Sequence, residues 1–223
     1  MSDPIRILIA DDQVLLRGSL RLLLDSTPDL AVVGEAGTGL EVVAQVQLLH
    51  PDLVLMDVRM PDGDGVDATR RIVASPDNWQ VRVLMLTTFD LDEHVYAALR
   101  AGASGFALKD MPPADLIAAI RTVARGKALL APNMTKRLIA HLVNRPPQTR
   151  PSPKGLAGLT DRAREVLTHV AHGLSNSEIA GQLHVSTATV KTHIGHILAK
   201  LAVRGRVQLV IHASETRLVS PGR

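Results

Sequence analysis

The chain has 223 residues, 46% hydrophobic and 21% charged, and no cysteine. That is enough apolar material for one large or two modest domains, while a disulfide framework and a thiolate metal site are excluded. Residues 1–125 hold 11 Lys/Arg against 18 Asp/Glu, and residues 126–223 hold 14 against 4, so an acidic half precedes a basic one. No apolar run approaches the roughly 20 residues of a membrane span. Met1-Ser2-Asp3-Pro4 lacks the basic start and apolar stretch of a secretory signal. A cytoplasmic location without membrane contact is expected. The basic half could approach nucleic acid by releasing counterions, or could simply be a solvated surface.

Five short runs rich in β-branched and aliphatic residues come first: Ile5–Ala10, Ala31–Glu35, Asp52–Asp57, Val81–Thr87 and Gly105–Leu108. Each is followed by a segment with helical spacing. Leu15, Leu16, Leu20, Leu23 and Leu24 line the first helix, and Val42, Val43, Val46 and Leu49 the second. Alternating strands and helices predict a doubly wound parallel sheet with helices on both faces. The runs ILIA and LVLM do not alternate with polar residues, as expected of strands buried on both sides.

Ligand sites in such sheets lie beyond the carboxyl ends of the strands. The first strand ends in Asp11-Asp12, the third in Asp57, the fourth in Thr87 and the fifth in Lys109. Three carboxylates gathered at one edge repel unless protonated or holding a cation. Mg²⁺ suits them, because it takes oxygen ligands and keeps waters that a phosphate can replace. An Asp in that setting can attack phosphorus, with Lys109 offering charge and Thr87 a hydroxyl. Each residue also has a plain explanation. Asp12 could cap the helix that starts near Gln13, Asp57 could end a strand in a turn, Thr87 could be an ordinary strand residue and Lys109 a surface lysine. Their joint placement at one end of successive strands favours the site. Asp62 and Asp64, beside Gly63 and Gly65, read as turn residues and an N-cap.

With ILIADD, DLVLMDVRMPDGDG, LMLTTFD and AGASGFALKD in place, residues 5–125 resemble a response-regulator receiver domain. The resemblance implies a flavodoxin-like fold. It implies Mg²⁺ on Asp11, Asp12 and Asp57, a phosphoryl group accepted by Asp57 from a sensor histidine kinase, and sensing of that group by Thr87, Phe106 and Lys109. The family's switching aromatic is usually Tyr. Phe106 can pack inward but offers no hydroxyl.

A helix-like stretch, Asn133–Val143, and a segment with Pro146, Pro147, Pro151 and Pro153 follow. The division expected is a receiver over residues 1–127, a helix and Pro-rich linker over 128–155, and a small all-α domain over 156–223. Thr160 is placed to cap a helix burying Val166, Leu167 and Val170. A second helix runs from about Ser177 to Leu183. After the turn His184-Val185-Ser186 comes a third, capped by Ser186, with Val185 and Val190 as a hydrophobic staple. Its apolar stripe is Val190, Ile194, Ile197 and Leu201; its other side carries Thr187, Lys191, Thr192, Gly195, His196 and Ala199. Two helices joined by a tight turn, the second with small polar and basic groups outward, suit entry into the major groove. A helical protein-interaction module is the alternative.

The segment GLTDRAREVLTHVAHGLSNSEIAGQLHVSTATVKTHIGHILAKL resembles the LuxR-type helix-turn-helix of the NarL/FixJ response regulators. That likeness implies duplex promoter DNA as partner, with Lys191 and Thr192 facing bases and Lys200 a phosphate. It also implies a homodimer formed on phosphorylation or on DNA through a last helix near Arg204–Ala213. Val207, Val210 and Ile211 would make that contact, core packing being the other explanation. Two positions depart from the family pattern. Ala163 stands where a Glu commonly completes the capping box with Thr160, and Gly195 where a longer polar side chain often faces DNA. His193 and His196 have helical spacing but no third metal ligand in view.

The expected function is a DNA-binding transcriptional regulator, not an enzyme. Phosphorylation at Asp57 would relieve autoinhibition or promote dimerisation. Rival readings fare worse. Phosphatases with an aspartate nucleophile of the haloacid dehalogenase type carry a second Asp two residues on, where this chain has Arg59. Gly34, Gly37 and Gly39 do not have the spacing of a dinucleotide fingerprint. A regulator of the same build controlled without phosphorylation leaves the intact acidic set unexplained.

Overall fold

The computed structural model describes residues 3–88, 92–126, 156, 158–201, 203, 205–216 and 218, apart from the side chains of 92–94 and 207. The stretch expected as a helix at 133–143 and the Pro-rich segment 144–155 lie outside the described residues. The chain divides into two compact units, Met1–Ala131 and Pro132–Arg223.

In the first unit the strands are β1 (Ile5–Ala10), β2 (Leu30–Ala36), β3 (Leu53–Asp57), β4 (Arg82–Thr87) and β5 (Gly105–Leu108). They form one parallel sheet in the order β2-β1-β3-β4-β5. The helices are α1 (Val14–Asp25), α2 (Gly39–Leu49), α3 (Gly65–Ala74), α4 (Asp92–Ala101) and α5 (Pro113–Ala124). Period-2 alternation divides the strands between two cores. Ile7, Ile9, Leu53, Leu55, Leu84 and Leu86 pack with Leu20 and Leu24 of α1 and Leu116, Ile120 and Val123 of α5. Leu8, Val54, Met56, Val83 and Met85 are buried on the other face. There the Thr69 hydroxyl of α3 reaches Met85 Sδ at 3.7 Å. Both faces being covered explains why the strands read as continuous apolar runs.

One expectation fails on α1. Leu20 and Leu24 are buried and Leu16 and Leu23 partly so, but Leu15 is 88% exposed. A helix with leucine at six of the ten positions 15–24 has more apolar width than one sheet face covers, so Leu15 and Leu22 face solvent.

The second unit packs α6 (Asp161–Ala171), α7 (Asn176–Leu183), α8 (Thr187–Leu201) and α9 (Arg206–Glu215). Its core holds Leu159, Val166, Leu167, Val170, Ile179, Val190, Ile197 and Leu209. Thr160 caps α6, accepting from the Ala163 amide, and Ser186 accepts from the Thr189 amide at 3.0 Å. Val185 and Val190 both join this core, as a staple requires. At α7 the capping box is complete. Ser175 accepts from the Glu178 amide, and Glu178 accepts from the Ser175 amide at 2.6 Å. This starts α7 at Asn176, one residue earlier than its apolar spacing suggests.

Candidate phosphoacceptor site and helix-turn-helix

Register brings the polar strand ends together. Ala10 pairs with Met56, Asp57 with Leu86 and Thr87 with Leu108. Asp11, Asp57, Thr87 and Lys109 therefore emerge on one edge of the sheet. Asp11 is fully buried, Asp57 nearly so, and Asp12 is exposed. One carboxylate oxygen from each of these three lies within 4.8 Å of the others, an acidic cluster that could hold a metal ion. The Lys109 ammonium stands 2.6 Å from Asp11 Oδ2 and 3.0 Å from Asp57 Oδ2. Its amide donates to the Thr87 carbonyl at 2.9 Å, which pins the fifth strand end to the fourth.

The charges do not balance within this cluster: three carboxylates meet one ammonium. Burial pushes the Asp57 carboxyl above its ordinary value, and the neighbouring Asp11 charge adds to that, while Lys109 opposes it. For Lys109, burial favours the neutral amine, but hydrogen bonds to Asp11 and Asp57 outweigh it and hold the ammonium above the usual lysine value. Apart from that ion pair, Asp11 Oδ2 has no hydrogen-bond partner among the described residues. Spare acceptor capacity at a buried carboxylate and excess negative charge both fit a hard cation with oxygen ligands.

Asp12 does not cap α1. Gln13 is the N-cap and makes no side-chain bond, while Asp11 Oδ1 accepts from the Gln13 amide at 2.9 Å. Asp64 caps α3, accepting from the Asp67 amide at 2.7 Å, and Asp62 adopts a left-handed turn conformation with φ of 49°. Phe106 is buried.

Two glycines whose close backbone contacts the sequence does not reveal hold the loop after Asp57. A β-carbon on Gly65 would lie 1.9 Å from the Asp57 carbonyl oxygen, and one on Gly39 would lie 1.8 Å from the Gly63 carbonyl oxygen. The Gly39 and Leu40 amides at the start of α2 donate to the carbonyls of Pro61 and Asp62, both at 3.2 Å. Strand β3 is thus followed by a loop docked on the N-terminus of α2, where carbonyl oxygens meet N–H groups that have no partner within the helix.

In the second unit Lys191 and Thr192 are exposed on α8, as are Thr187, Gly195, His196 and Ala199. The Thr192 hydroxyl donates to the Ala188 carbonyl at 3.1 Å. Lys200 is also exposed, but its ammonium donates to the Gly158 carbonyl, tying α8 to the entry of α6. Val210 and Ile211 of α9 are buried within the single chain, so core packing accounts for both. Val207 lies in α9 with its side chain outside the described residues. Arg206 was not anticipated. Half-buried, it donates to Asn176 Oδ1 at 2.8 Å and to the Leu174 carbonyl, and so holds the start of α7.

The receiver domain of response regulators matches residues 7–121, more than half of the chain, and the luxR family of bacterial regulatory proteins matches residues 157–213. The chain belongs to the response regulators. The transcriptional regulatory protein YxjL of Bacillus subtilis is 39% identical over 217 residues, 97% of this chain and 98% of its own. The response regulator protein VraR of Staphylococcus aureus is 39% identical over 215 residues, 96% of this chain and 99% of its own. Among solved structures, the response regulator ChrA of a heme-sensing two-component system is 35% identical, with a TM-score of 0.53 over 98% of this chain and 100% of that one. This response regulator is a DNA-binding transcriptional regulator controlled by phosphorylation. Its receiver implies a histidine kinase as phosphodonor, and its luxR-type domain implies DNA. No helix among the described residues is long and apolar enough to cross a membrane.

Proposed function

We propose that Asp57 is the phosphoacceptor and that Asp11, Asp12 and Asp57 hold Mg²⁺ beside it. The observation that carries this reading is the Lys109 ammonium lying between Asp11 and Asp57 in a cluster of three carboxylates. When bound, Mg²⁺ supplies neutralisation of the phosphoryl oxygens. The chain's own residues do the rest. An Asp57 carboxylate oxygen forms the new bond to phosphorus as the bond from phosphorus to the donor imidazole nitrogen breaks, and that nitrogen leaves with the electron pair. Catalysis of this step is mainly positioning and charge stabilisation. Burial favours a protonated, non-nucleophilic Asp57, and Lys109 counters this by favouring the carboxylate. Lys109 is then the cationic side chain beside the new phosphoryl group, and Thr87, one residue beyond Asp57's partner on β4, is its hydroxyl donor.

In this reading the receiver accepts a phosphoryl group and does not turn over a substrate. It works in the cytoplasm, where its kinase and promoter DNA are both accessible. Movement of Thr87 and Phe106 alters the α4 and α5 surface, which relieves autoinhibition or pairs two copies. Helix α8 then enters the major groove with Lys191 and Thr192 toward base edges and phosphates.

The test is intact mass after incubation with Mg²⁺ and acetyl phosphate. A single phosphoryl gain is expected in the wild type, and none in Asp57→Ala or without Mg²⁺. An unchanged gain in Asp57→Ala would remove Asp57 from its role.

A further inference from the structure

We infer that Arg17 is a positioning residue for the acidic pair: it fixes the Asp11–Asp12 peptide, and through it the aim of the Asp12 carboxylate toward the metal. The inference rests on the reading of Asp11, Asp12 and Asp57 as an Mg²⁺ site. Asp11 follows the last residue of β1, and its amide still pairs with the Ala36 carbonyl of β2 at 3.1 Å. Its own carbonyl has left the strand ladder and belongs to a fully buried residue, so it needs another donor. Arg17 supplies it: Nη1 donates to the Asp11 oxygen at 2.6 Å.

That oxygen sits on the peptide unit whose nitrogen belongs to Asp12, so holding it fixes the plane from which Asp12 departs. The exposed Asp12 carboxylate makes no hydrogen bond or ion pair with the described residues. No side-chain contact orients it, so the main chain sets where its Cα–Cβ bond starts and the range the carboxylate can reach. Asp11 is held independently, by Gln13 and Lys109, which leaves Asp12 as the ligand most dependent on this peptide.

The guanidinium is anchored from a second direction. Arg17 Nε donates to Glu35 Oε2 of β2 at 3.3 Å, and only 15% of the Arg17 side chain is exposed. Glu35 also binds Arg21. Arg17 therefore bridges strand β2 and the loop after β1 through two different nitrogens of one planar fork. Lysine, with a single ammonium, cannot reproduce this.

The sign of the effect separates positioning from simple electrostatics. The Arg17 charge by itself repels a divalent cation, so its removal acting only through charge tightens Mg²⁺ binding. Loss of a positioning contact weakens it, typically at least tenfold for groups that orient metal ligands. A purely structural arginine lowers the unfolding temperature and leaves Mg²⁺ affinity alone.

The experiment is Mg²⁺ titration of the full unphosphorylated chain, followed by amide chemical shifts, for wild type, Arg17→Ala and Arg17→Lys. We expect Kd for Mg²⁺ to rise about tenfold in Arg17→Ala and by a smaller factor in Arg17→Lys. Reactivity toward acetyl phosphate should fall in Arg17→Ala at subsaturating Mg²⁺ and return as Mg²⁺ is raised to saturation. If Arg17→Ala does not fold, Arg17→Lys and Glu35→Gln, which loosens the second anchor, carry the test in the same direction. Affinities within about twofold of wild type, or tighter, overturn the inference while leaving the metal site standing. A wild type that shows no saturable Mg²⁺ response at Asp11, Asp12 and Asp57 sinks the metal site and this inference together.

Discussion

The two units place their functional groups in opposite ways. In the receiver the proposed site is, apart from the exposed Asp12, withdrawn from water: Asp11 is fully buried, and the side chains of Asp57 and Lys109 are each 9% exposed. In the C-terminal unit Lys191 and Thr192 stand in solvent, and among the described residues nothing holds the Lys191 ammonium. The contrast follows from the tasks. Charge works hardest where water is excluded, so a phosphoacceptor site gains from burial. A DNA-reading face must meet a highly hydrated polyanion, so its cations have to project. Substitutions in the first site should therefore be felt by the fold, and substitutions in the second by the ligand alone.

The largest effect should come from Lys109→Met. It leaves the Asp11 and Asp57 carboxylates facing each other without their cation, and breaking such a buried pair typically costs about 3 kcal/mol or more. The pH dependence has a definite sign. Asp57 already has a folded value above its ordinary 3.8, so its ionisation removes stability as pH rises from the unfolded value through the folded one. Without Lys109 that folded value rises further. Urea unfolding should show the wild type well ahead of the variant at neutral pH and the gap narrowing toward pH 4. A gap independent of pH would mean that lost packing, not stranded charge, dominates.

Gly65→Ala comes next. A β-carbon 1.9 Å from the Asp57 carbonyl forces α3 or the end of β3 to shift. Overpacking of this kind costs about 1–3 kcal/mol. Because the displaced backbone belongs to Asp57, phosphorylation by acetyl phosphate should slow as well. Stability loss with an unchanged rate would show that the loop moves without carrying the carboxylate.

These two variants also mark where sequence reasoning stops. The gathering of Asp11, Asp12, Asp57, Thr87 and Lys109 at one edge was legible because each ends or follows an apolar run, and a parallel sheet gathers strand ends whatever the loops do. Ser186 and Thr160 were legible as caps because capping is local. Gly39 and Gly65 were not, since their need for a bare α-carbon arises from a loop that returns to them from elsewhere in the chain. The family resemblance makes Lys200 a weaker phosphate candidate, but its donation to the Gly158 carbonyl depends on how α6 and α8 pack. Leu15 is an error of another kind: periodicity counts apolar residues and cannot say how wide a face the sheet will cover. The box at Ser175 and Glu178 did leave a sequence signal, S-x-x-E. Apolar spacing instead suggested a start one residue late.

Lys191→Ala probes the other side of the comparison. Affinity for duplex DNA should fall about tenfold if Lys191 reaches a base edge. If it reaches only a phosphate, the slope of log affinity against log salt should fall by about one. In both cases the unfolding midpoint should stay at the wild-type value, because the side chain is exposed and holds nothing in place. A lowered midpoint would erase the distinction between the two sites.

The smallest effect tests whether the C-terminal unit has any charge-dependent stability of its own. Ser175→Ala removes the side-chain acceptor of the α7 capping box and should cost about 1 kcal/mol. It leaves the bond from the residue 175 amide to Glu178 in place. Glu178→Gln does the reverse, keeping the serine cap and removing the charge. The Ser175 side chain, followed by its amide, holds the Glu178 carboxyl below its ordinary 4.5. That contribution is present above pH 4.5 and is lost as pH falls through the lower folded value. Wild type and Glu178→Gln should thus differ near neutrality and converge in acid, whereas Ser175→Ala should stay below wild type throughout. The Lys109→Met gap also narrows in acid, but for a different reason: there acid relieves a stranded buried charge, and here it removes a surface carboxylate that was stabilising. Measured side by side, the Lys109 variant recovers toward wild type, while at the helix cap it is the wild type that falls to meet its variant.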